Sequence, residues 1–396
     1  MSDHASAHPT PRLFEASYWS CLLVGSALAA GLVARYLLRD YTTIDTSLYL
    51  LPWYEYAQEH GLAALAEAFT NYTPLYTYLL IAVSRLHGHV DSLSLIKAIS
   101  ALFELAAAFL AWRMTARPAA FAAVWLAPTV LWNGPAWGQA DSIWAFFVLL
   151  AVYLYREGRN GVLPFGAAVA TKAQGFFLGP FVLGMALRRR EALWLASIPI
   201  VYFLIAAPTL IAGRPMQEIA TVYVDQADTF RSLSVHAANL WALLDSVPYT
   251  EGVAIGVVLA AVAGIAITAI IASARTIDKE FVVLAACVAL LVMPYLLPKM
   301  HERYFYAFEV TVIVLAFLNW RYAPFAILAQ VSGVLAYLVF DRGFTAGLTP
   351  AAIINGFMAA MLSIALWRAG RTGVELPRNN SERALRPDSA ADPWTH

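Results

Sequence analysis

The chain has 396 residues, of which 60% are hydrophobic and only 13% are charged, and its mean hydropathy is +0.63. A soluble domain of ordinary composition carries about 25% charged residues, so these values exclude a soluble globular fold and indicate a polytopic membrane protein. The 26 basic and 26 acidic side chains cancel, so the net charge does not predict a nucleic-acid partner.

The cysteines and motifs exclude further classes of protein. The only two cysteines, Cys21 and Cys287, lie in apolar runs and are interpreted as small core residues rather than as a disulfide or metal site. The chain has no nucleotide-binding loop of the Walker or GxGxxG type, so a nucleotide cofactor has no support.

The two ends of the chain are polar. Residues 1–16 are predicted to form a short cytoplasmic tail, and residues 369–396, rich in Arg, Pro, Ser and Asp, a disordered one. The apolar run 18–38 has the roughly 20 residues that cross a bilayer, which favours an uncleaved anchor over a signal peptide. Residues 17–368 are assigned to one transmembrane domain.

The stretch after the first span, residues 39–78, interleaves acids with Tyr, Trp and Leu. This spacing is typical of short amphipathic helices that lie on a membrane surface with the aromatic side chains toward lipid. A solvated interfacial loop is the plainer interpretation. Asp45 is a candidate functional residue, because several later polar clusters are predicted to lie on the same side of the membrane.

The basic residues between the later apolar runs predict the topology. Lys and Arg concentrate in short cytoplasmic loops, and all the basic clusters lie inside if the short run 74–86 stays half-embedded on the outer side. If that run crossed instead, Arg156 and the triplet 188–190 would lie outside. The sequence thus predicts an all-α membrane protein with about twelve transmembrane helices, interfacial helices in the first extracytoplasmic loop, and both termini in the cytoplasm.

This topology places five polar regions on the extracytoplasmic side. They are Asp45, the turn 137–141, Lys172 with Gln174, the loop 213–251 and the turn 299–306. No single region is specific, but their convergence on one face predicts a functional site.

Two of these regions have competing interpretations. Asp141 follows an Asn-Gly-Pro turn, so it is either a helix cap or a carboxylate beside aromatic side chains suited to sugars. Lys172 lies midway between two short apolar halves, a pattern typical of broken helices that place polar groups at a buried site. Lys172 has no acid next to it in sequence, so it suits an anionic ligand such as phosphate, unless it extends to the interface.

The turn 299–306 is the densest charge cluster of the membrane region. Consecutive ionisable residues between apolar spans are costly unless they pair or bind a ligand, although an interfacial belt is the alternative. Arg303 offers the planar guanidinium that suits phosphate recognition. The long loop 213–251 is interpreted either as a lid over the site or as structural packing.

Taken in order, these motifs resemble signatures of the GT-C superfamily, membrane glycosyltransferases that use sugars linked to polyprenyl phosphate. The first-loop pattern consists of Asp45 followed by Pro52-Trp53-Tyr54 and by the motif 71–76, Asn-Tyr-Thr-Pro-Leu-Tyr. Further motifs similar to a bacterial mannosyltransferase-like branch are Trp137–Asp141, Thr171–Gln174, Ser234–Trp241 and His301–Tyr306. The resemblance covers roughly residues 15–340, and its specificity lies in the ordered set.

The resemblance implies an inverting hexosyltransferase of a bacterial plasma membrane, with an extracytoplasmic active site. Asp45 is the implied general base and Asp40 the second candidate; the donor phosphate would face Lys172, Arg303 and His301. The implied substrate-binding residues are Asp141, Gln139, Trp137, Glu302, Tyr304, His236 and Asn239.

The implied partners are a polyprenyl-phosphate sugar, membrane lipids, and an acceptor that is lipid-linked, a glycan or a protein, with no nucleic acid. An acid directly paired with Asp45 is missing, so no cofactor is named, and a requirement for a divalent metal stays open.

Two other functions compete with this one. A secondary transporter or lipid-linked sugar flippase would also have broken helices and intramembrane charge, but such proteins usually contain two similar halves and no clear internal repeat is found. A polysaccharide polymerase or ligase, an enzyme with large outer loops, is the second alternative.

Overall fold

The computed structural model describes residues 18–227, 231–244 and 246–372. The fold is all-α and 80% helical. The predicted N-terminal tail and most of the predicted C-terminal tail lie outside the described residues. The last helix continues through residues 369–372, which the sequence had assigned to that tail.

The described residues form the following α-helices: α1 (Tyr18–Leu37), α2 (Leu51–His60), α3 (Pro74–Ser84), α4 (Ser92–Thr115), α5 (Pro118–Trp125), α6 (Pro128–Leu131), α7 (Asp141–Arg156), α8 (Val162–Thr171), α9 (Gly179–Arg189), α10 (Ser197–Ile211), α11 (Met216–Ala227), α12 (Tyr249–Ser273), α13 (Lys279–Leu296), α14 (Tyr306–Leu318), α15 (Ala323–Arg342) and α16 (Leu348–Thr372). Two π-helical turns, Thr46–Leu50 and Trp132–Ala136, interrupt this series, and so do several 3-10 turns. Two short parallel strands, β1 (Ser234–Val235) and β2 (Met300–His301), pair with each other.

Seven helical stretches of the described residues are long and apolar enough to cross a membrane. They are Tyr18–Leu37, Ser92–Thr115, Ala192–Ile211, Tyr249–Ser273, Lys279–Leu296, Trp320–Arg342 and Thr345–Arg371. This finding agrees with the predicted multi-pass membrane protein. The predicted count of about twelve crossings stays a prediction, because other apolar segments form helices of only 10 to 17 residues, such as α8 and α14.

Proline and glycine explain why some apolar runs form short helices. The run 118–132 divides after α5, because the residue before Pro128 is disfavoured in helical conformation. In the first loop, α2 ends at Gly61, whose φ of 55° is a conformation that glycine adopts without strain. The predicted helices of this loop are therefore present as α2 and α3. With 11 residues, α3 is about 16 Å long, too short to cross a hydrocarbon core of about 30 Å.

The predicted break at Lys172 is confirmed. Helix α8 ends at Thr171, Lys172 is extended with φ −159° and ψ 142°, and a 3-10 turn, Ala173–Leu178, leads into α9. The extended conformation of Lys172 interrupts the helix at the residue that the sequence predicts to reach a buried site. In a continuous helix, the Lys172 side chain would have followed the same periodicity as its apolar neighbours.

Helices α13 and α14 form the centre of the core, with most of their side chains buried. Cys287 on α13 is buried, as predicted, whereas Cys21 is exposed on α1, so its interpretation as a core residue is wrong. A buried ion pair joins α1 to α4, in which Arg35 lies 2.6 Å from Glu104.

The start of the first loop is held by Lys97 on α4. Its ammonium group donates to the backbone carbonyls of Leu38, Arg39 and Tyr41, at 2.8, 3.0 and 2.7 Å. These are carbonyls at and just after the end of a helix, which lack partners within the helix itself. Lys97 thereby fixes the chain a few residues before Asp45.

Candidate functional site

A cavity of about 500 Å³ brings the five predicted polar regions together. The residues from these regions that line it include Asp45, Gln139, Lys172, His236, His301, Arg303 and Tyr304. They come from segments far apart in the chain, so the convergence that the topology predicted is present in the fold.

Asp45 forms the acidic side of the cavity. It lies immediately before the π-helical turn Thr46–Leu50, is half-buried, and reaches the cavity through its carboxylate. Gln139 donates from Nε2 to Asp45 Oδ2 at 2.8 Å, and its Oε1 accepts from the Tyr72 hydroxyl at 3.4 Å. Gln139 follows Gly138, whose φ of 72° allows the sharp turn before α7.

Lys172 and Arg303, which also line the cavity, form its basic side, and both are paired. Lys172 Nζ lies 2.6 Å from Asp141 Oδ1, while Arg303 lies 2.5 Å from Glu302 Oε1 and 3.6 Å from Asp141 Oδ2. Lys172, which has no acid next to it in sequence, therefore has an acidic partner in the fold. The partner of Lys172 is 31 residues away in sequence, which local spacing does not reveal.

The acids lie behind the cations. Asp141 and Glu302 are 0% and 1% exposed, and in the described part of the chain only Lys172 and Arg303 of this group line the cavity. The cavity therefore meets positive groups whose counter-charges are buried further inside. A buried charge usually requires such a partner, because desolvation alone is too costly.

The Asp141 carboxylate is held by partners inside the protein. It is the first residue of α7, and its carboxylate accepts from Asn133 Nδ2 at 3.2 Å and from Trp144 Nε1 at 3.0 Å. Together with Lys172, these donors use its oxygens inside the protein. The helix-cap interpretation is wrong, because Ala140 is the cap of α7 and no side chain caps this helix, and Asp141 instead pairs with Lys172.

The pKa shifts of side chains in the turn after α13 agree with this arrangement. Burial raises the pKa of the Glu302 carboxyl, but the neighbouring Arg303 and His301 outweigh it and lower that pKa to about 2. Burial also lowers the pKa of His301, although Glu302 opposes the effect. At neutral pH Glu302 is thus ionised.

The two short strands place both site histidines on one wall. Ser234 pairs with Met300 and Val235 with His301, and His236 forms an isolated bridge with His301. His236 has a φ of 57°, a conformation uncommon for residues other than glycine, and such residues concentrate at functional sites. The sequence did not predict this sheet, because its strands have two residues each and no hydrophobic alternation.

Five predicted site residues do not line the cavity: Asp141 and Glu302, described above, and Trp137, Asn239 and Asp40. Trp137 is fully buried, with its ring 4.6 Å from that of Tyr337, so it packs inside the fold. Asn239 is also buried and caps a 3-10 turn by accepting from the backbone of Ala242. Asp40 is 75% exposed and pairs with Arg39, away from the cavity.

Aromatic side chains that were not assigned individual roles complete the cavity. The Tyr72 ring lies 5.4 Å from Trp53 and 5.1 Å from Lys172 Nζ, and Trp53 lies 5.6 Å from Tyr49. Tyr304 contributes a further ring, 6.0 Å from the same ammonium. The Asn-Tyr-Thr-Pro motif that contains Tyr72 was a sequence signal for this wall.

The long loop 213–251 lines the cavity in one part and packs structurally in another. In α11, Tyr223 and Gln226 line the cavity and donate hydrogen bonds to the backbone carbonyls of Val169 and Asn71. Trp241, later in the loop, donates to the Leu296 carbonyl at 2.8 Å. The packing interpretation therefore applies to Trp241, and the lid interpretation stays a prediction for the part of the loop that lines the cavity.

No protein-family model matches this chain, and no curated protein sequence matches it. Among the described residues, no three His, Cys, Asp or Glu side chains are grouped closely enough to hold a metal ion together. A functional assignment therefore depends on the geometry of the cavity.

Proposed function

We propose that the protein is a membrane glycosyltransferase that moves a mannose-like hexose from a polyprenyl-phosphate donor to an acceptor hydroxyl on the extracytoplasmic side. The observation that supports this most is that one cavity is lined both by an acidic group, Asp45, and by a basic side formed by Lys172 and Arg303. The resemblance of the motifs to the GT-C superfamily supports the same reaction.

The basic side suits the phosphate of the donor. Lys172 and Arg303 offer an ammonium and a guanidinium, and their buried partners hold them in place before a ligand arrives. Donors that are already oriented stabilise developing charge without reorganising during the reaction, usually the largest electrostatic contribution to catalysis. Here the developing charge is that of the departing phosphate.

The acidic side suits proton removal from the acceptor. Asp45 Oδ2 accepts from Gln139, whereas Oδ1 accepts no hydrogen bond from the described residues. In the proposed step, the acceptor oxygen attacks the anomeric carbon as Oδ1 takes its proton. The bond from the anomeric carbon to the phosphate oxygen breaks, and the electron pair leaves with the phosphate. Attack opposite the phosphate inverts the anomeric centre.

The remaining walls suit the sugar. Four aromatic side chains line the cavity, those of Tyr49, Trp53, Tyr72 and Phe340. Aromatic side chains bury the apolar faces of a ring and carry few rotatable bonds. A volume of about 500 Å³ falls within the range of small-molecule sites, about 300–1,000 Å³.

Incubation of the purified protein in lipid nanodiscs with a polyprenyl-phosphate hexose tests the proposal. We expect release of polyprenyl phosphate, with the hexose transferred to an added lipid extract or slowly to water, and much less release by Asp45→Asn. A flippase would instead move the intact donor across reconstituted vesicles without cleavage, and that result would overturn the proposal. Mass spectrometry of lipid extracts from a deletion strain would then identify the acceptor.

A further inference from the structure

Gln139 is held at both its backbone and its side chain. It is 2% exposed, its backbone carbonyl accepts from Ser100 Oγ at 2.5 Å, and its backbone N–H donates to the Asn133 carbonyl at 3.0 Å. Its side-chain amide lies between the Asp45 carboxylate and the Tyr72 hydroxyl. A buried amide with both ends engaged has little freedom to contact a substrate as well.

The chemistry of the three groups determines the direction of these hydrogen bonds. An ionised carboxylate only accepts, so the NH₂ group of Gln139 must face Asp45. The carbonyl oxygen of Gln139 then faces Tyr72, whose hydroxyl can donate to it. The Asp45 carboxylate therefore fixes the orientation of the amide, and the Tyr72 hydroxyl donates to the end that faces away from Asp45.

An amide has an advantage over a cation in this position. A lysine or arginine beside Asp45 would strongly favour the charged form of the carboxylate and weaken it as a base. A neutral N–H donor holds one oxygen with a smaller effect on basicity. The cations of the cavity are instead paired with Asp141 and Glu302, away from Asp45.

Tyr72 also contacts the basic side of the cavity, with its ring 5.1 Å from Lys172 Nζ. Its hydroxyl thus contacts the support of the base, while its ring lies near a cation predicted to hold the phosphate. One side chain therefore contacts both Gln139 and the basic side of the cavity.

We infer that Gln139 is a positioning residue, held in place by Tyr72, that holds Asp45 Oδ2 so that Oδ1 faces the acceptor hydroxyl. The inference replaces the predicted contact of Gln139 with a sugar. Its catalytic part rests on the proposed glycosyl transfer, but the contact between Gln139 and Asp45 can be tested without any activity.

Three variants separate positioning from packing. Gln139→Met keeps the length of the side chain and removes its hydrogen bonds, Tyr72→Phe keeps the ring, and Gln139→Glu places a second carboxylate beside Asp45. We expect the first two to lower kcat by about 10- to 100-fold, the order expected when a reacting group is misplaced, with the KM for donor changed less than about threefold. Gln58→Met, at an exposed position of α2, is the matched control.

The pH dependence of kcat/KM also tests positioning, because a purely structural role of Gln139 would not change it. A carboxylate beside Asp45 disfavours its charged form, so Gln139→Glu should shift the acid limb of kcat/KM toward higher pH, by about one unit. Gln139→Met and Tyr72→Phe should lower the profile throughout.

Thermal melting provides the measurement that needs no turnover. Asp45→Ala, Gln139→Met and the double variant form a double-mutant cycle. The double variant should lose less stability than the sum of the stabilities lost by the two single variants. Additive losses would overturn the inferred contact. If the losses of stability are not additive but kcat and the pH profile of the variants are unchanged, the positioning role alone is overturned. If the wild-type protein never cleaves the donor, the proposed function is overturned together with that role.

Discussion

Gln139 and Asp45 are 94 residues apart in the chain, yet the amide Nε2 of one lies 2.8 Å from the carboxylate Oδ2 of the other. This contact connects the turn before α7 to the first loop, and it engages only the Oδ2 oxygen of Asp45. It also distinguishes Asp45 from Asp40, whose nearest charged partner is the exposed Arg39.

The first prediction concerns the two acids of the first loop. Asp45→Asn keeps the size of the side chain and removes its basicity, so the variant should fold and bind donor but lose transfer by about 100-fold or more. Asp40→Asn is the matched control and should be much milder, because Asp40 lies outside the cavity. Initial rates of polyprenyl phosphate release measure both. A large loss in the control with a normal rate for Asp45→Asn would assign the base to Asp40.

The second prediction uses the pair formed by Lys172 and Asp141. Lys172→Met alone leaves a buried carboxylate without its closest partner, which should destabilise the fold by about 3–5 kcal/mol. The double variant Lys172→Met, Asp141→Asn removes both charges and should recover most of that stability, but it should still bind donor weakly.

Thermal melting and equilibrium binding of the donor separate these two effects. Arg303→Lys is a useful companion, because it keeps the positive charge and removes the planar fork. Wild-type donor affinity in the double variant would show that Lys172 serves the fold rather than the phosphate.

The third prediction is a pH dependence of stability. The Glu302 carboxyl has its pKa lowered from 4.5 to about 2, so it contributes stability that is present above about pH 4.5 and lost as the pH falls toward 2. The contribution is of the order of 3 kcal/mol. Glu302→Gln should therefore melt lower than wild type near pH 6, with the difference shrinking below pH 4.5.

Melting midpoints measured between pH 6 and pH 3 test this dependence. Glu251→Gln, at an exposed position of α12, is the control and should follow wild type throughout. A constant difference between Glu302→Gln and wild type across the whole range would contradict the assigned ion pair.

The fourth prediction concerns the side of the membrane on which the first loop lies. A cysteine at Glu59, exposed on α2, should react in intact cells with a membrane-impermeant thiol reagent, if Cys21 is first replaced by serine. Gly61 is a poorer labelling position, because its positive φ would strain any other residue. A cysteine at the exposed Arg117, predicted to be cytoplasmic, should react only after permeabilisation. The reverse pattern would invert the topology and place the cavity inside.

Much of the fold follows from the sequence alone. Its apolar composition predicted an all-α membrane protein, and the composition of the first loop predicted the helices that became α2 and α3. Lys172 between two short apolar halves predicted the break that the structure contains. These features depend on the local spacing of apolar, polar and turn-forming residues, and local spacing can be recognised in a sequence.

The tertiary structure decided which polar groups face the cavity and which serve the fold. In the fold, Lys172 pairs with Asp141, and Trp137 and Asn239 are buried in the interior. His236 is joined to His301 through two short strands. The tertiary structure also placed Gln139 between Asp45 and Tyr72. Each of these outcomes depends on contacts between residues far apart in the chain. A buried charge or amide pairs with a group that the packing of helices brings near it. The residues next to it in sequence do not specify that partner.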